Sequence, residues 1–237
     1  MDIREIAAII ASFFLIILTF RVYFDFYPNK KYTPVKFMAR VGIFGAIATL
    51  LYAVPVFKFS LPIFPSFLEI HVDEIPAFIA GFAYGPLSGI AVIALKTIIK
   101  LPLSRTMMVG ELTDLILSSI YVGITCFIYQ KKRNLKGVAI GFSVATVVQV
   151  LVAMLLNVYM MIPFYAYTMG YGVDALLGMM KAAIPAITDT RWSYALLAVA
   201  PFNLIKDAIV IIITFIVYRY MHIFLRFEGK KSKKKAG

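Results

Sequence analysis

Polar side chains that could bind a ligand interrupt the most apolar stretches of this sequence. Lys206 and Asp207 lie within the apolar run 196–221, and Asn203 precedes Lys206 by about one helical turn. Ionisable groups are costly inside hydrocarbon, so each of them is a candidate for function. An ammonium and an amide can donate hydrogen bonds to a small polar ligand. Lys206 and Asp207 could equally neutralise other buried charges.

A carboxylate pair, Glu111 and Asp114, is the second candidate. The two residues are three positions apart and therefore share a helical face. They could bind a metal or act as acid and base in a membrane-embedded enzyme. The helices offer no histidine to such a site, however, and a helix dipole favours acidic residues at its N-terminus without any further function. Phosphate-loop, HExxH and GxSxG motifs are all missing from the sequence, so we expect a protein that is not an enzyme and has no cofactor or metal.

The composition places these residues in a membrane. Hydrophobic residues make up 62% of the 237 residues and charged residues 15%, and the mean hydropathy is +0.88. A soluble domain needs about a quarter of its residues charged. The net charge of +12 comes from short basic clusters at 30–40, 131–136 and 230–235, between apolar runs. This pattern is typical of membrane proteins and not of nucleic-acid binding. We therefore expect an all-α integral membrane protein that crosses the cell membrane several times.

Apolar runs with few or no charged residues predict helices at 6–24, 41–57, 115–130, 137–163 and 196–221. A helix needs about 20 residues to cross hydrocarbon. We expect Pro163 to end the fourth of these helices. The run 75–100 differs, because Gly85-Pro86 lies near its middle and indicates a reversal between two short helices.

The distribution of lysine and arginine supports that reversal. Cytoplasmic loops carry the basic residues, and a single crossing by 75–100 would place the basic cluster at 131–136 outside. With a hairpin, all the basic clusters are cytoplasmic, and the chain has seven helical segments, an external N-terminus and a cytoplasmic C-terminus. This threading gathers polar residues in a cup at the outer third of the membrane, which would suit a planar amphipathic ligand. The nearby aromatic residues could instead be only an interfacial belt. The gathered residues include Glu111, Asp114, Asn157, Asn203 and Lys206.

Small residues on the helix predicted at 41–57 could form a partner surface. Gly42 and Ala46 are four residues apart, with Gly45 beside them. This spacing lets a second helix approach closely, although it could also serve internal packing. Since the chain has no ATP-binding motif, we expect a binding subunit that relies on a partner for energy.

Four stretches of the sequence resemble one known family. They are FLEIHVDEIP at 67–76, GFAYGPLSG at 81–89, NVYMMIPFY at 157–165 and PFNLIK at 201–206. In this order and spacing they resemble the substrate-binding S components of energy-coupling factor (ECF) vitamin transporters, and most closely the riboflavin-specific members. The resemblance covers about 36–218. It implies a six-helix core with an outward ligand pocket, a transmembrane coupling (T) protein and two ABC-type ATPases as partners, and riboflavin, or alternatively FMN, as the transported ligand. Membrane lipid would surround the core.

The resemblance also assigns roles to individual residues. It implies ligand contacts by Asn157, Asn203, Lys206 and Tyr165, a capping loop that contains Phe67 and Leu68, and a less specific outer position for Asp73. Glu111 and Asp114 would lie at the pocket edge, and Gly42 and Ala46 would meet the coupling protein. The predicted domains are an extra N-terminal helix and cytoplasmic linker at 1–35, the S-component core at 36–226 and a basic cytoplasmic tail at 227–237. Another vitamin or precursor, such as thiamine or folate, is the alternative ligand.

Overall fold

The computed structural model describes residues 34–54, 56, 58–61, 64, 69–103, 108–168, 170, 172–188 and 190–234, with side chains as far as Tyr220. The helix predicted at 6–24, and the predicted ligand residues Phe67 and Leu68, lie outside these residues. The predictions for them therefore stay predictions.

Helices form nearly all of the described chain, as the sequence predicts. Four of them are long and apolar enough to cross a membrane: Val35–Ala53, Val109–Lys131, Leu135–Thr168 and Arg191–Tyr220. The elements in chain order are α1 (Pro34–Ala53), β1 (Lys58–Ser60), β2 (Glu69–His71), α2 (Ile75–Tyr84), α3 (Pro86–Lys100), α4 (Val109–Lys131), α5 (Leu135–Leu156), α6 (Ile162–Thr168), α7 (Val173–Ala183), α8 (Arg191–Tyr194) and α9 (Ala200–Lys234). The all-α membrane class is confirmed.

The reversal at Gly85-Pro86 is also confirmed. Gly85 has φ +110°, a backbone conformation that glycine adopts without a steric penalty, and Pro86 then opens α3. The helices α2 and α3 pack so closely that a Cβ added to Gly89 would lie 2.8 Å from the Ala77 carbonyl oxygen and 3.3 Å from Gly81 Cα. Neighbouring helices shield both short helices, which backbone groups at membrane depth require.

Pro163 does not end its helix, so that prediction is wrong. The chain continues from α5 through a π-bulge at Asn157–Met161 into α6, and the Ile162 N–H donates to the Asn157 carbonyl five residues earlier. A proline inside a regular α-helix clashes with the carbonyl four residues before it. The wider turn just before Pro163 moves that carbonyl aside.

The same device recurs before Pro201. A π-bulge at Ala195–Val199 joins α8 to α9, and the Ala200 N–H donates to the Ala195 carbonyl. The two π-bulges contact each other. Two long helices therefore pass their prolines without a break, side by side at one end of the bundle.

An aromatic core extends through the bundle from the start of α2 to the end of α4. Phe78 packs edge-on against Tyr121 with ring centroids 5.1 Å apart and lies 4.8 Å from Phe142. The hydroxyls of Tyr129 and Tyr218 are 2.9 Å apart. These contacts join α2, α4, α5 and α9.

Two features were not predicted. Strands β1 and β2 pair antiparallel, with Phe59 opposite Ile70, and α7 packs its apolar side onto a second core through Leu176, Leu177 and Met180. Because α7 adds a helical segment to the described chain, the count of six core helices is not confirmed.

Gly89→Ala should destabilise the isolated protein, because the added Cβ would meet backbone at a separation that real Cβ atoms do not show. Overpacking of this kind costs about 1–3 kcal/mol, so the thermal midpoint in detergent should fall. Gly42→Ala is the matched control, since a Cβ there has no atom within 4 Å. Equal midpoints for the two variants would contradict the close packing of α2 and α3.

Candidate functional site

A cluster of buried charged side chains lies at the end of the bundle near the β2–α2 turn. We call it the charge cluster and define it as Asp73, Glu74, Lys96, Lys100, Asp114 and Lys206. The β2–α2 turn supplies the first two residues, α3 the next two, and α4 and α9 one each. Four separate parts of the chain therefore meet through opposite charges.

Lys96 lies at the centre of the charge cluster. Its side chain is fully buried, and its Nζ is 2.8 Å from Asp73 Oδ2 and 3.1 Å from Asp114 Oδ2. Lys100, one turn later on the same face of α3, places its Nζ 3.6 Å from Asp114 Oδ2 and 3.4 Å from the centre of the Tyr52 ring. The i, i+4 spacing aims both ammonium groups at Asp114.

Lys206 closes the charge cluster from α9. Its Nζ is 2.7 Å from Glu74 Oε1 and 3.8 Å from Asp114 Oδ1. The Ser118 hydroxyl contacts the same two carboxylates, at 2.7 Å from Glu74 Oε1 and 3.3 Å from Asp114 Oδ1. Lys206 therefore does neutralise buried charge, one of the two roles open to it from the sequence.

Asp73, in the turn before α2, is held in its ionised form. Burial alone would raise the pKa of its carboxyl, but the Lys96 ammonium and His71 outweigh burial and hold that pKa well below its usual range. The His71 Nδ1 is 3.2 Å from Asp73 Oδ1. The negative charge of Asp73 thus persists at any physiological pH.

An amide pair lies beside the charge cluster, between α5 and α9. Gln149 Nε2 donates to Asn203 Oδ1 at 3.1 Å, and Asn203 Nδ2 donates to the Val199 carbonyl at 2.8 Å. Gln149 Oε1 is buried and has no hydrogen-bond partner among the described residues. The pair therefore holds a free acceptor inside the bundle.

Asn157 is at a different level of the bundle. It opens the π-bulge eight residues after Gln149, about 12 Å further along the helix axis. Its Nδ2 donates to the Ala153 carbonyl at 2.9 Å. Within the described part of the chain, no hydrogen bond links it to the charge cluster. Asn157 and the charge cluster therefore lie at separate levels of the bundle.

Comparison with known proteins identifies the fold. The family model for the substrate-specific component of ECF transporters matches residues 36–218. The chain belongs to this family. It is 24% identical over 183 residues to "Riboflavin transporter FmnP" of Bacillus subtilis, an alignment that covers 76% of this chain and 90% of that protein. It is 26% identical over 191 residues to "Riboflavin transporter RibU" of Staphylococcus aureus, covering 81% and 93%.

A solved structure agrees with this assignment. The protein described under "Structure and mechanism of the S component of a bacterial ECF transporter" superposes with a TM-score of 0.63 and 25% identity. The match covers 81% of this chain and 99% of that one. The family has a transport role and works with a coupling protein and ATPases, so the chain is an S component and not an enzyme.

The predicted ligand residues fall into two groups. Asp73, Asp114 and Lys206 belong to the charge cluster, and Asn203 lies next to it. Asn157 and Tyr165 lie further along the 135–168 helix, toward the π-bulges and α6. A shallow depression of about 420 Å³ opens at that end between α6, α7 and α8, but its lining includes none of the predicted ligand residues.

The idea of a Glu111–Asp114 metal or acid–base pair gains no support. Glu111 is buried at the start of α4, and Asp114 is surrounded by the ammonium groups of Lys96, Lys100 and Lys206. Within the described residues, no group of three His, Cys, Asp or Glu side chains could hold a metal ion.

Sequence reasoning placed Glu74 and Lys96 in the polar cup without giving either a role, and it did not single out Ser118 or Gln149. The available signal for Lys96 was its i, i+4 spacing to Lys100 on an otherwise apolar short helix. Gln149 gave a weaker signal, as an uncharged polar residue deep in an apolar run.

The small residues of α1 separate onto two faces. Gly42 and Ala46 are exposed on the outer face of the helix. Gly45 is buried, and a Cβ there would lie 2.6 Å from Leu95 Cδ2 of α3. Gly45 thus serves internal packing, and the predicted partner surface is reduced to Gly42 and Ala46.

Lys96→Met should strongly destabilise the protein, because it leaves Asp73 and Asp114 buried without their central ammonium. Breaking a buried ion pair from one side costs about 3–5 kcal/mol, so we expect a large fall in thermal midpoint or in yield of folded protein. Lys136→Met changes an exposed lysine at the other end of the bundle and should alter stability by no more than about 0.5 kcal/mol. Equal thermal midpoints for the two variants would show that Lys96 does not stabilise the charge cluster.

Proposed function

We propose that this chain binds riboflavin at the extracellular side of the cell membrane and delivers it through a coupling protein and two ABC-type ATPases. Two observations support this proposal. The relatives named above are riboflavin transporters, and Lys206 of this chain lies 3.8 Å from Asp114 in the buried charge cluster, with the Gln149–Asn203 amide pair about one helical turn away along α9. The second observation carries the proposal, because it concerns this chain's own residues.

The chemistry of riboflavin suits this arrangement. Its isoalloxazine ring is flat and amphipathic and has hydrogen-bond donors and acceptors along one edge, and its ribityl chain carries hydroxyls. Asn203 and Lys206 supply donors and the Gln149 Oε1 supplies a free buried acceptor. A ligand that lacks a matching group leaves a buried polar atom unpaired, which costs about 1–3 kcal/mol. Such a site would separate riboflavin from thiamine or folate, the alternative cargoes.

The orientation follows from the charges at the two ends of α4. The exposed basic residues Lys131, Lys132, Arg133 and Lys136 lie at the α4–α5 turn. Asp114 lies 17 residues earlier on the same helix, about 26 Å away. With the basic turn in the cytoplasm, the charge cluster faces outward, the N-terminus is outside and the C-terminus is cytoplasmic.

Flavin mononucleotide is a second ligand to test. Its phosphate would bring negative charge to a site whose three carboxylates are already paired with three lysine ammonium groups. A buried charge without a partner of its own is costly, so riboflavin should bind more tightly than FMN.

Purified protein should quench riboflavin fluorescence on titration, and Asn157→Ala should weaken binding about tenfold, equivalent to about 1.4 kcal/mol. Thiamine and folate should compete poorly. Lys136→Gln, at the cytoplasmic end, is the control and should bind like the wild type. Absence of quenching at micromolar riboflavin would exclude a riboflavin carrier, and tighter competition by thiamine or folate would change the assigned cargo.

The outer face of α1 is the proposed contact with the coupling protein. Gly42→Leu and Ala46→Leu should leave riboflavin binding unchanged but abolish uptake in the assembled transporter, because a bulky side chain there prevents close helix approach. Ala139→Leu adds the same bulk to an exposed small residue of α5 and should leave uptake intact. Normal uptake by both α1 variants would rule out this face as the docking surface.

A further inference from the structure

Among the described residues, one buried carboxylate of the bundle forms no ion pair. Asp207, next to Lys206 on α9, is fully buried. Neither of its carboxylate oxygens has a hydrogen-bond partner, and no ion pair to it occurs, within the described residues. Asp73, Glu74 and Asp114 differ from it, because each lies within 4 Å of a lysine ammonium. The lysines of the charge cluster therefore neutralise the other carboxylates and not Asp207.

The groups that face Asp207 come from every helix packed around it. From α5, the Thr146 hydroxyl lies nearby. From α4, the Tyr121 hydroxyl is 3.5 Å from the Asp207 backbone carbonyl. The carboxylate of Glu74, at the start of α2, interacts with Asp207 as a like charge. Lys206 is the cation that attracts the Asp207 carboxylate, but its ammonium pairs with Glu74, with Lys206 Nζ 2.7 Å from Glu74 Oε1.

An ionised Asp207 would thus be a buried anion beside a second anion, with its neighbouring cation already paired. Such a group becomes neutral instead, because a charge in a low-dielectric interior needs a partner. A proton on Asp207 would also supply a donor to a region where buried acceptors lack one, namely Glu74 Oε2 and Gln149 Oε1.

We propose that Asp207 is a proton-binding site, which holds a carboxylic acid in the folded chain at neutral pH. The proton comes from water during folding and returns to water on unfolding. The buried ion pairs then leave this part of the bundle without an uncompensated negative charge. This inference does not depend on which ligand the chain transports.

The proposal gives a definite sign to the pH dependence of stability. A free aspartate ionises near pH 4, so above that pH the folded chain holds one proton more than the unfolded chain. The unfolding equilibrium constant then rises up to tenfold for each pH unit through Asp207 alone. Asp207→Asn, an uncharged side chain of the same shape, removes this contribution. The thermal midpoint of Asp207→Asn should therefore rise relative to that of the wild type as the pH increases from 5 to 8.

Infrared spectroscopy of the full chain in detergent tests the proton directly. At pH 7 the ligand-free wild type should show the carbonyl stretch of a carboxylic acid, and this band should shift when aspartate is labelled with ¹³C at its carboxyl carbon. The band should vanish in Asp207→Asn and persist in Asp174→Asn, a matched change at an exposed residue of α7. The labelling experiment needs no variant, so a missing or unshifted band overturns the proposal even if Asp207→Asn fails to fold. A missing band, a band that labelling does not shift, or a band that survives in Asp207→Asn would overturn the proposal.

Discussion

The ion pairs of Lys96 with Asp73 and Asp114 are the contacts on which the end of the bundle near the β2–α2 turn depends. They tie the β2–α2 turn and α4 to α3, and Lys206 adds α9 through Glu74. Because buried charges require partners at close range, these contacts leave few alternative arrangements for the four segments. The short hairpin helices α2 and α3 cannot span the membrane alone, so their position relies on such contacts and on the close packing at Gly89.

The ion pairs of the charge cluster explain how the proposed ligand site can exist in a stable bundle. Asp114 receives three ammonium groups, and Asn203 is held by Gln149 and by the Val199 carbonyl. The polar side chains are therefore oriented before any ligand arrives. Orientation in advance lowers the entropy lost on binding. A polar ligand would meet fixed donors and acceptors and would not need to order mobile side chains.

Much of this arrangement is visible in the sequence, for identifiable reasons. The reversal at Gly85-Pro86 was predictable because basic residues mark the cytoplasmic side independently of packing. Lys206 was identified because charges are rare in apolar runs, Asp114 because it shares a helical face with Glu111, and Asp73 only through the family resemblance. The partner of Lys206 was not predictable, since Glu74 lies 132 residues away and their contact depends on the relative depth of two helices. The continuation of the helix past Pro163 was missed because a π-bulge has no simple sequence signal.

The π-bulge at Asn157–Met161 also decides which residues face inward along 135–168. Buried positions recur every four residues at Ala145, Gln149 and Ala153. Leu156 and Val158 are both buried at the bulge, with Val158 five residues after Ala153, and intervals of four then resume at Ile162 and Ala166. The π-bulge thus adds one residue to a single turn, so that residues after the bulge again face inward on the same side of the helix. An alignment of this segment with a relative that has a regular α-helix should therefore contain a single-residue gap at the π-bulge. Inward-facing positions after the bulge can be compared between the two proteins only when that gap is included.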